Sequence, residues 1–514
     1  MRRLAGLAVF ATIACGGGDA QRAAILRLPL INDPILNPII APDIGSVMVN
    51  KVLFPGLVRP DEQLRPTPDL ALSWESSEDG KAWTFHLRPG VRWHDGQPFS
   101  ADDVKFTFDQ VADVHSGSRL RSDFAAIEGV DVVDSLTVRF RLKAPFAPLL
   151  TLLGYNAGIL PRHAFAGTAL SDATTFNRST PIGTGPFKVE HVSPGANITL
   201  TRNPYWYGDP PALTGLVFKV VPDVNAQVAQ LRAGELDLVT IEPANLGSVQ
   251  DVDGISVREV PVVQHTYVGF NNRLSMFASP RVRRALAYAV NREAIVQGVL
   301  KGHADLPRGT IPVALRAFFD SALAPVPHAP DSARALLAAA GWRPGPNGQL
   351  QDAAGRPFAF ELLTDKGNPA REQAALAVQQ DLRAVGITAT IRAMEFAALV
   401  RDKVLPGTFE AVLIWWTTPG DPDQFAFYAS GQDNNNVGWK NRTADSLLAA
   451  GRATLDTAQR RSIYSAFQRL ERDDPPVLVL FYPREIQAVS SRLTGLPALG
   501  VRDALRYSER LRLR

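Results

Sequence analysis

Residues 71–108 read ALSWESSEDGKAWTFHLRPGVRWHDGQPFSADDVKFTF and contain the most regular pattern in the chain. From Trp83 to Arg88 apolar and polar side chains alternate, which predicts a half-buried strand. Residues 91–94 alternate in the same way after a Pro-Gly turn and predict a second strand. Ser100 precedes an apolar run and has Asp103 three residues later, which predicts a capped helix. Strands, tight turns and a helix in one short stretch indicate a mixed chain.

Further helix and strand signals continue toward the end of the chain. Asp223 begins a predicted helix that ends at Gly234, and Ser279-Pro280 is typical of another helix start. Asp331 is predicted to cap a helix that ends at Gly341. The remaining predicted elements are helices over 374–385, 445–448 and 459–472, and strands over 387–392, 409–416 and 477–482. Strands that alternate with helices predict an α/β fold.

Length and composition exclude several classes of protein. The chain has 514 residues, of which 46% are hydrophobic and 20% are charged. This is enough for two or three domains with their own cores, and it excludes a disordered chain, a collagen and a coiled coil. The formal net charge of +3 offers no basic excess for nucleic acid. The single cysteine excludes a disulfide framework and a cysteine-based zinc site.

The first residues predict export. Met1-Arg2-Arg3 is positively charged and Leu4–Ala14 is apolar, which is too short for a membrane span but typical of a signal peptide. Thr12-Ile13-Ala14-Cys15 resembles a bacterial lipobox, in which the cysteine is lipidated. We therefore expect residues 1–15 to be a lipoprotein-type signal, with Cys15 the first mature residue, and residues 16–24 to be a tether. The alternative is an ordinary cleaved signal peptide with an incidental cysteine.

The sequence contains no recognisable catalytic motif. HExxH, G-x-S-x-G and Walker A patterns do not occur, and carboxylates are scattered. Gly183-Thr184-Gly185-Pro186 is interpreted as a tight turn into a strand, because it lacks the third glycine of a phosphate loop. His86 and His94 are interpreted as structural or surface histidines, because no third metal ligand is near. We predict neither an enzyme nor a bound metal or cofactor.

Several short motifs together resemble one family. They are Leu72-Ser73-Trp74-Glu75, Asp79-Gly80-Lys81, residues 85–91, Trp93-His94-Asp95-Gly96, residues 98–104, Gly183–Phe187, Arg202–Trp206, residues 231–237 and residues 271–292. In this order they resemble the family 5 extracellular solute-binding proteins, which are the peptide- and nickel-binding receptors of bacterial ABC importers. The resemblance covers nearly the whole mature chain.

The resemblance implies a type II periplasmic-binding-protein fold of the large, three-subdomain variety. Lobe I is expected over 25–268, with an extra subdomain at about 45–178, and lobe II over 269–486. Residues 487–514 are expected to return to lobe I. The strands 265–271 and 481–487 would form the hinge, and the ligand would be enclosed between the lobes. The expected partners are a small solute and an ABC permease, and the expected state is a monomer outside the cytoplasm, held to the membrane by its lipid anchor alone.

The same resemblance indicates which residues contact the ligand. At two of these positions the chain differs from its relatives. Peptide-binding relatives place an aspartate where this chain has Thr418, and a hydroxyl cannot replace its charge-assisted bond to an ammonium group, worth about 1.5–3 kcal/mol. Dipeptide-binding relatives place an arginine where this chain has Lys366, which lacks the bidentate fork. Asp421 is a further candidate near Thr418.

The other expected ligand contacts are inferred from where the residues lie in the expected strands and loops. Trp415 and Trp416 should point to opposite faces of one strand, so that one joins the core and the other faces the cleft. Thr417 follows them. Asn32 and Asn37 lie in an expected cleft loop after the first strand, and Tyr267 and Asn271 lie where the hinge enters the cleft. We interpret His265 as a histidine that is hydrogen-bonded locally.

Three functions stay open at this point. The first is a receptor for peptides or peptide-like solutes. The second keeps the receptor fold but binds a nickel chelate, an opine, an oligosaccharide or another small organic solute. The third is an exported enzyme or structural protein, which would need a catalytic constellation or an open apolar surface.

Overall fold

The architecture is taken from a computed structural model, which describes residues 24–418 and 420–514. The predicted signal with Cys15 and nearly all of the predicted tether lie outside the described residues.

The strands lie in two groups separated by a helical stretch. In chain order they are β1 Ile25–Leu30, β2 Val58–Pro60, β3 Pro66–Pro68, β4 Ala71–Ser76, β5 Ala82–Leu87, β6 Ile127–Asp134, β7 Thr137–Leu142, β8 Phe187–Ser193, β9 Asn197–Arg202, β10 Gly215–Val220, β11 Leu238–Ile241, β12 Ile255–Pro261, β13 Gln264–Phe270, β14 Ala304–Asp305, β15 Arg343–Pro344, β16 Leu350–Gln351, β17 Ala359–Asp365, β18 Thr388–Met394, β19 Ala411–Thr417, β20 Leu478–Ser490, β21 Leu493–Thr494 and β22 Arg512–Leu513.

The helices alternate with these strands. They are α1 Ile44–Leu53, α2 Ala101–Ala112, α3 Leu149–Tyr155, α4 Thr174–Arg178, α5 Val224–Arg232, α6 Ser275–Ala278, α7 Pro280–Ala289, α8 Arg292–Ala294, α9 Pro330–Ala339, α10 Pro369–Ala384, α11 Phe396–Leu399, α12 Phe425–Tyr428, α13 Arg442–Ala453, α14 Thr457–Asp473 and α15 Val501–Ala504. Short 3₁₀ turns occupy Arg162–Phe165, Pro243–Ser248 and Leu505–Arg510, and π turns occupy Ile295–Val299 and Val400–Val404.

Three larger sheets organise the described residues. One has the strand order β1-β10-β9-β8 and another the order β4-β5-β7-β6. The third runs β11-β20-β13-β19-β17-β18, with β12 and β14 also paired to β20. Within it β17 is parallel to β18 and to β19, and helix α10 connects β17 to β18. Sheets crossed by helices in this way confirm the predicted α/β class.

Strand β20 changes partners along its length. Leu478 to Phe481 pair with β13, whereas residues 484–490 pair with β12. Tyr482 and Pro483, between these two parts, pair with the short strand β14. The strand predicted over 477–482 is therefore the first half of a longer one. Pro483, Arg484 and Glu485 interrupt its apolar run, which is why the sequence pattern ended too early.

The buried side chains form separate cores. The largest core draws on residues 26–238 together with residues 489–511. A second core lies wholly within residues 268–481. The buried residues of a third core lie within 263–482, except for Tyr155, which comes from the first part of the chain. The C-terminal segment thus packs with the N-terminal part, while Tyr155 packs with residues of the second part.

Local sequence signals agree with most element boundaries. Ser100 and Asp103 form the predicted capping box of α2, and Asp223 caps α5 through a bond from the amide of Ala226. Residues 91–94 are a correction, because only an isolated bridge from Arg92 to Pro98 forms there. The predicted cap at Asp331 is also wrong, since Pro330 occupies the first helical position and moves the cap to Ala329.

Candidate ligand-binding site

A cavity of about 580 Å³ lies where β20 passes from β13 to β12. Phe481 and Pro483 of β20, Gln264 of β13 and Thr417 of β19 contribute to its wall. This volume falls in the range of sites that enclose small molecules. The cavity is therefore the main candidate for a ligand site in the described residues.

The cavity sits at the carboxyl ends of parallel strands. Strand β17 ends at Asp365 and β19 ends at Thr417, and the two strands run side by side in the same direction. Asn368 and Arg371, which follow β17, line the cavity together with Thr417. Ligands of open α/β sheets bind in the crevice outside the carboxyl ends of the strands. The topology places the site there.

The opposite wall comes from distant parts of the chain. The lining residues on this side are Ile44 at the start of α1, residues 240–243 at and after the end of β11, and Gly500, Arg502 and Asp503 at the start of α15. These segments belong to the part predicted as lobe I, whereas Asn368 and Thr417 belong to the part predicted as lobe II. Residues from both predicted lobes thus line the same cavity.

The wall carries charges of both signs. The acidic lining residues are Glu62, Glu242, Glu259, Glu485 and Asp503, and the basic ones are His303, Arg316, Arg371, Arg484 and Arg502. Many pair with one another: His303 lies 2.8 Å from Glu259 and Arg502 lies 2.9 Å from Asp503. Arg316 is exposed and has no carboxylate within 4.0 Å among the described residues. Such a wall suits a solute that carries both a positive and a negative group.

Arg371 is a cation of the wall whose position is fixed by a helix start and an ion pair. It lies in the first turn of α10, whose start is fixed by the side chain of Asn368 accepting the amide of Arg371. Its Nε donates to Asp365 at 2.6 Å, and its Nη2 donates to the second oxygen of the same carboxylate. Nη1 has no partner among the described residues. The ion pair therefore holds the guanidinium in place and leaves one donor edge for a ligand oxygen.

Lys366 does not line the cavity. Its side chain is exposed, and its backbone amide bonds to Met394. The sequence placed the anion contact at Lys366 because that residue lies next to Asn368-Pro369. Pro369 begins α10, however, and the first helical turn carries Arg371 back to the wall. The sequence analysis missed Arg371, although the Asn-Pro helix start was a usable signal.

The end of β19 divides its side chains between two environments. Thr417 pairs with Gln264 in register, and both line the cavity. Thr418 is 1% exposed, and its amide and hydroxyl both donate to the carbonyl of Val263. Of the two threonines predicted as contacts, the structure places Thr417 at the cavity and uses Thr418 to bind β19 to the start of β13.

The two tryptophans point to opposite faces, as expected for neighbours on a strand. Trp415 stacks parallel to the exposed Phe396, with centroids 6.1 Å apart. Trp416 packs against Phe427 at 4.2 Å, and its Nε1 is buried without a partner among the described residues. Trp415 shares its strand face with Thr417. It is the one of the pair that can extend the cavity wall as an aromatic surface.

Asp421 and Arg460 form a buried ion pair. Both guanidinium Nη atoms donate to the carboxylate, at 2.7 and 2.6 Å, and both side chains are almost fully buried. Burial alone lowers the pKa of Arg460, but the adjacent Asp421 more than offsets it. Both oxygens of Asp421 are occupied by Arg460. This geometry anchors the loop after β19 and leaves Asp421 no oxygen free to contact a ligand.

The remaining predicted contacts occupy different places. Asn37 is fully buried and bonds to Asn177, and Asn271 donates to the carbonyl of Phe409 at 2.8 Å, so both brace loops. Tyr267 is half-buried against the ring of His265. Asn32 is exposed, and its Oδ1 approaches the start of α1 beside Ile44. None of these four residues lines the cavity itself.

His265 is buried without hydrogen bonds. Its side chain is 1% exposed, and neither ring nitrogen has a partner among the described residues. Burial lowers the pKa of His265 to about 3, so the ring is neutral near pH 7. The expectation of a local partner is wrong. The neighbours on its face are the rings of Tyr267 and Trp416, which leave no backbone group within reach.

Segments of the two predicted lobes also contact each other outside the cavity lining. A Cβ on Gly420 would lie 3.4 Å from Thr151 and 3.5 Å from Tyr155, and Gly420 has a φ of +74°. These distances are ordinary van der Waals contacts, so it is the positive φ that favours glycine at this position. The amide of Ala147 donates to the carbonyl of Arg452 at 2.8 Å. The loop after β19 and the end of α13 thus pack against the segment around α3.

Within residues 24–418 and 420–514 no helix has the length and apolar character needed to cross a membrane. In the same residues no group of three or more histidine, cysteine, aspartate or glutamate side chains is placed to hold a metal ion. His86 pairs with Glu75, and His94 accepts the amide of Gly183, which agrees with their predicted structural roles.

Comparison with known proteins defines the class. Residues 65–437 match the family model described as bacterial extracellular solute-binding proteins, family 5 middle. This is more than half of the chain, and the chain therefore belongs to that family. The family consists of binding proteins that act outside the cytoplasm.

Individual relatives cover almost the whole chain. The oligopeptide-binding protein AppA of Bacillus subtilis is 29% identical over 489 residues, which cover 93% of this chain and 90% of that protein. The ABC transporter substrate-binding protein CtaP of Listeria monocytogenes has a TM-score of 0.84 at 25% identity, covering 96% of this chain and 99% of the other. NikZ of Campylobacter jejuni, solved with Ni(L-His), has a TM-score of 0.81 at 25% identity, covering 95% and 99%. The predicted solute-binding-protein fold is confirmed.

Proposed function

We propose that this protein is an extracytoplasmic receptor that delivers peptides or peptide-like solutes to an ABC importer by closing around them. The observation that supports it most directly is the 580 Å³ cavity between segments 44–64, 240–261 and 498–503 and segments 300–316, 368–371 and 417. Its mixed charges and its amide and hydroxyl groups match a peptide backbone with two charged ends. The oligopeptide-binding relative AppA and the ABC transporter protein CtaP support the same function.

The proposed mechanism is a hinge motion. Lobe I would comprise residues 25–268 with the subdomain at about 45–178, lobe II residues 269–486, and residues 487–514 would return to lobe I. Strands β13 and β20 connect the lobes, because β20 exchanges partners between residues 481 and 484. A ligand that touches both walls binds the closed state more tightly than the open state, and only this difference can drive closure. The importer would recognise the closed shape.

The ligand contacts that we propose combine both walls. Arg371, with its free Nη1, and Arg316 would bind a ligand carboxylate, while Glu242 would face a cationic group. Thr417, Gln264 and Asn368 would bond to the ligand backbone. Trp415 would cover an apolar part of the ligand. Lys366 and Asn32 stay predictions from the family pattern.

A second candidate keeps the mechanism and changes the cargo. Thr418 is neutral and its hydroxyl is already bonded to Val263, so it cannot grip an ammonium group as an aspartate can. This favours a solute without a free amino terminus, such as an opine or a chelated metal, and NikZ is an example of a chelate-binding neighbour. A bare metal ion is not favoured, because the described residues offer no ligand cluster.

The lipid anchor and the monomeric state are part of the proposal. Cys15 would carry the lipid and hold an otherwise soluble receptor at the membrane surface. We expect Cys15→Ser to move the protein from the membrane fraction to the soluble exported fraction without changing ligand affinity. Retention of the variant in the membrane fraction would show that another feature anchors it.

Native mass spectrometry of the mature chain, before and after mild unfolding, tests the cargo. Receptors that enclose their ligand can retain it through purification, so released masses in a peptide series would support the first candidate. A single non-peptide mass, or an adduct with a metal isotope pattern, would favour the second. If the protein is empty, thermal shifts with peptide and non-peptide panels at 100-fold excess over Kd should separate the two, since such binding stabilises by about 2.7 kcal/mol.

A further inference from the structure

We propose that a second cavity, formed within residues 284–479 and apart from the cleft, binds a small oxyanion such as phosphate. This cavity has a volume of about 280 Å³. Four arginines line it, namely Arg284, Arg292, Arg308 and Arg472, against only two acidic residues, Glu471 and Asp473. The cavity shares no lining residue with the cleft, so the proposal stands independently of the proposed function.

Arg292 is a buried cation without a counter-ion. It is 6% exposed, and its Nε and Nη1 donate to the carbonyls of Val479 and Ala287 at 2.7 and 2.8 Å. Among the described residues no carboxylate lies within 4.0 Å of it. The pKa of Arg292 is lowered to about 10, mainly by burial; Tyr482 opposes this shift, and the nearby positive charge of Arg472 adds to it. A bound anion would relieve both the burial of this charge and its repulsion.

Two more guanidinium groups are bound only by backbone carbonyls. Arg308 donates to Leu323 at 2.7 Å and to Ser321, and Arg472 donates to Ala324. These bonds fix the direction of each side chain but do not neutralise its charge. Arg284 has only a long contact of 3.7 Å to Asp473, and its Nε is buried without a partner. The cavity thus offers oriented donors and an excess of positive charge, which is what an oxyanion requires.

Glu471 completes the wall in a form compatible with an anion. It is 5% exposed, its Oε2 accepts the amide of Thr310 at 3.1 Å, and its Oε1 has no partner among the described residues. Burial raises the pKa of Glu471 to about 7. A carboxyl group that keeps its proton has a donor to offer from the unpartnered oxygen.

Calorimetric titration of the intact mature protein with inorganic phosphate tests the proposal, at pH 8 and with ionic strength held constant by chloride. We expect saturable binding to the wild type. Arg472→Gln should weaken it about tenfold or more, because it removes a charge-assisted donor. At pH 8, above its pKa of about 7, Glu471 is ionised in the wild type, so Glu471→Gln should bind phosphate severalfold more tightly, because it removes this negative charge and keeps a donor.

Two control variants locate the anion. Arg469→Gln removes an exposed arginine of the same helix, which pairs with Asp320 outside the cavity, and should leave the phosphate affinity unchanged. Arg371→Gln removes the ordered cation of the cleft and should also leave it unchanged. The proposal would be overturned if Arg469→Gln lowered the phosphate affinity as much as Arg472→Gln does. It would also be overturned if Arg371→Gln lowered the affinity instead, or if the wild type showed no saturable binding. Circular dichroism of each variant checks that it is folded.

Discussion

The guanidinium of Arg452 lies over the ring of Phe146, 5.4 Å from its centroid. Phe146 is buried in the core of the first part of the chain, and Arg452 is at the end of α13 in the second part. The same guanidinium donates to Asp423 at 2.7 Å and lies 4.5 Å from the ring of Phe425. The cation–π contact with Phe146 therefore crosses between the predicted lobes, while the other two contacts stay within lobe II.

This geometry predicts that Phe146→Leu weakens ligand binding by about two- to fivefold. The change removes the aromatic face but keeps most of the apolar volume, and an exposed cation–π contact is worth about 0.5–1 kcal/mol. A contact between the two predicted lobes would form only when they close, so its loss should lower the closed fraction. Ligand titration by calorimetry measures the effect. Phe425→Leu removes the contact within lobe II and serves as the control, because it should leave the affinity unchanged; equal effects of the two variants would show that Phe146 has no part in closure.

The buried ion pair of Asp421 and Arg460 predicts that breaking it lowers the free energy of unfolding strongly. Asp421→Asn leaves the guanidinium of Arg460 buried without its counter-charge, and breaking a buried pair in this way costs about 3–5 kcal/mol. Urea unfolding followed by circular dichroism should show this loss. Asp109→Asn, which breaks the exposed pair with Lys105, should cost less than about 1 kcal/mol. A similar small cost for both variants would show that water reaches Arg460 in solution.

Local sequence signals predicted most elements because they act over a few residues. The capping box at Ser100 and the helix start at Ser279-Pro280 both depend on neighbours three or four positions away. The extension of β20 to Ser490 was not predictable in this way. Its second half begins with the charged residues Arg484 and Glu485, and it is a strand because β12 and β11 pair with it from far away in the chain.

The candidate site depends even more on contacts between residues that are distant in sequence, which local signals cannot predict. Thr417 was predictable, because strand alternation and the family pattern place it at the end of β19. Thr418 and Asp421 were assigned to the ligand by the same pattern, but their partners Val263 and Arg460 are distant in sequence. A pattern along the chain cannot show which polar groups are already satisfied by other parts of the fold.

The free Nη1 of Arg371 predicts that the protein prefers ligands with a free carboxylate. Arg371→Gln should lower the affinity for a carboxyl-terminal peptide about tenfold more than the affinity for the same peptide as its amide, since a hydrogen bond to a charged group is worth about 1.5–3 kcal/mol. Comparing acid and amide forms cancels any loss caused by leaving Asp365 unpaired. Lys366→Gln is the matched control and should change neither affinity. A loss of discrimination in Lys366→Gln instead would restore the family-based assignment of the carboxylate contact to Lys366.

The unpartnered ring of His265 predicts a stability that falls in acid. Its pKa is about 3 in the folded protein and about 6.5 when the ring is exposed to water. Between these values the unfolded chain binds a proton that the folded chain does not, so stability falls by about 1.4 kcal/mol for each pH unit below 6.5, or about 2 kcal/mol at pH 5. His265→Phe should abolish this part of the pH dependence. It should also raise stability at pH 7 by roughly 1–2 kcal/mol, because it removes two buried polar atoms that make no hydrogen bond.

The other buried histidine provides the control for this experiment. His94 is also buried, and burial lowers its pKa to about 4, but its ring accepts the amide of Gly183 at 3.0 Å and lies 3.2 Å from the carbonyl of Gly185. His94→Phe should therefore destabilise the protein by at least about 2 kcal/mol at pH 7, because it leaves buried backbone groups unsatisfied. Urea unfolding at pH 5 and pH 7 measures the free energy of unfolding of both variants. Apart from the two histidines, the variants contain the same titrating groups, so these groups affect both in the same way. If His265→Phe destabilises the protein as much as His94→Phe does, His265 has a hydrogen-bond partner in solution, and its assignment as an unsatisfied ring on the hinge strand is wrong.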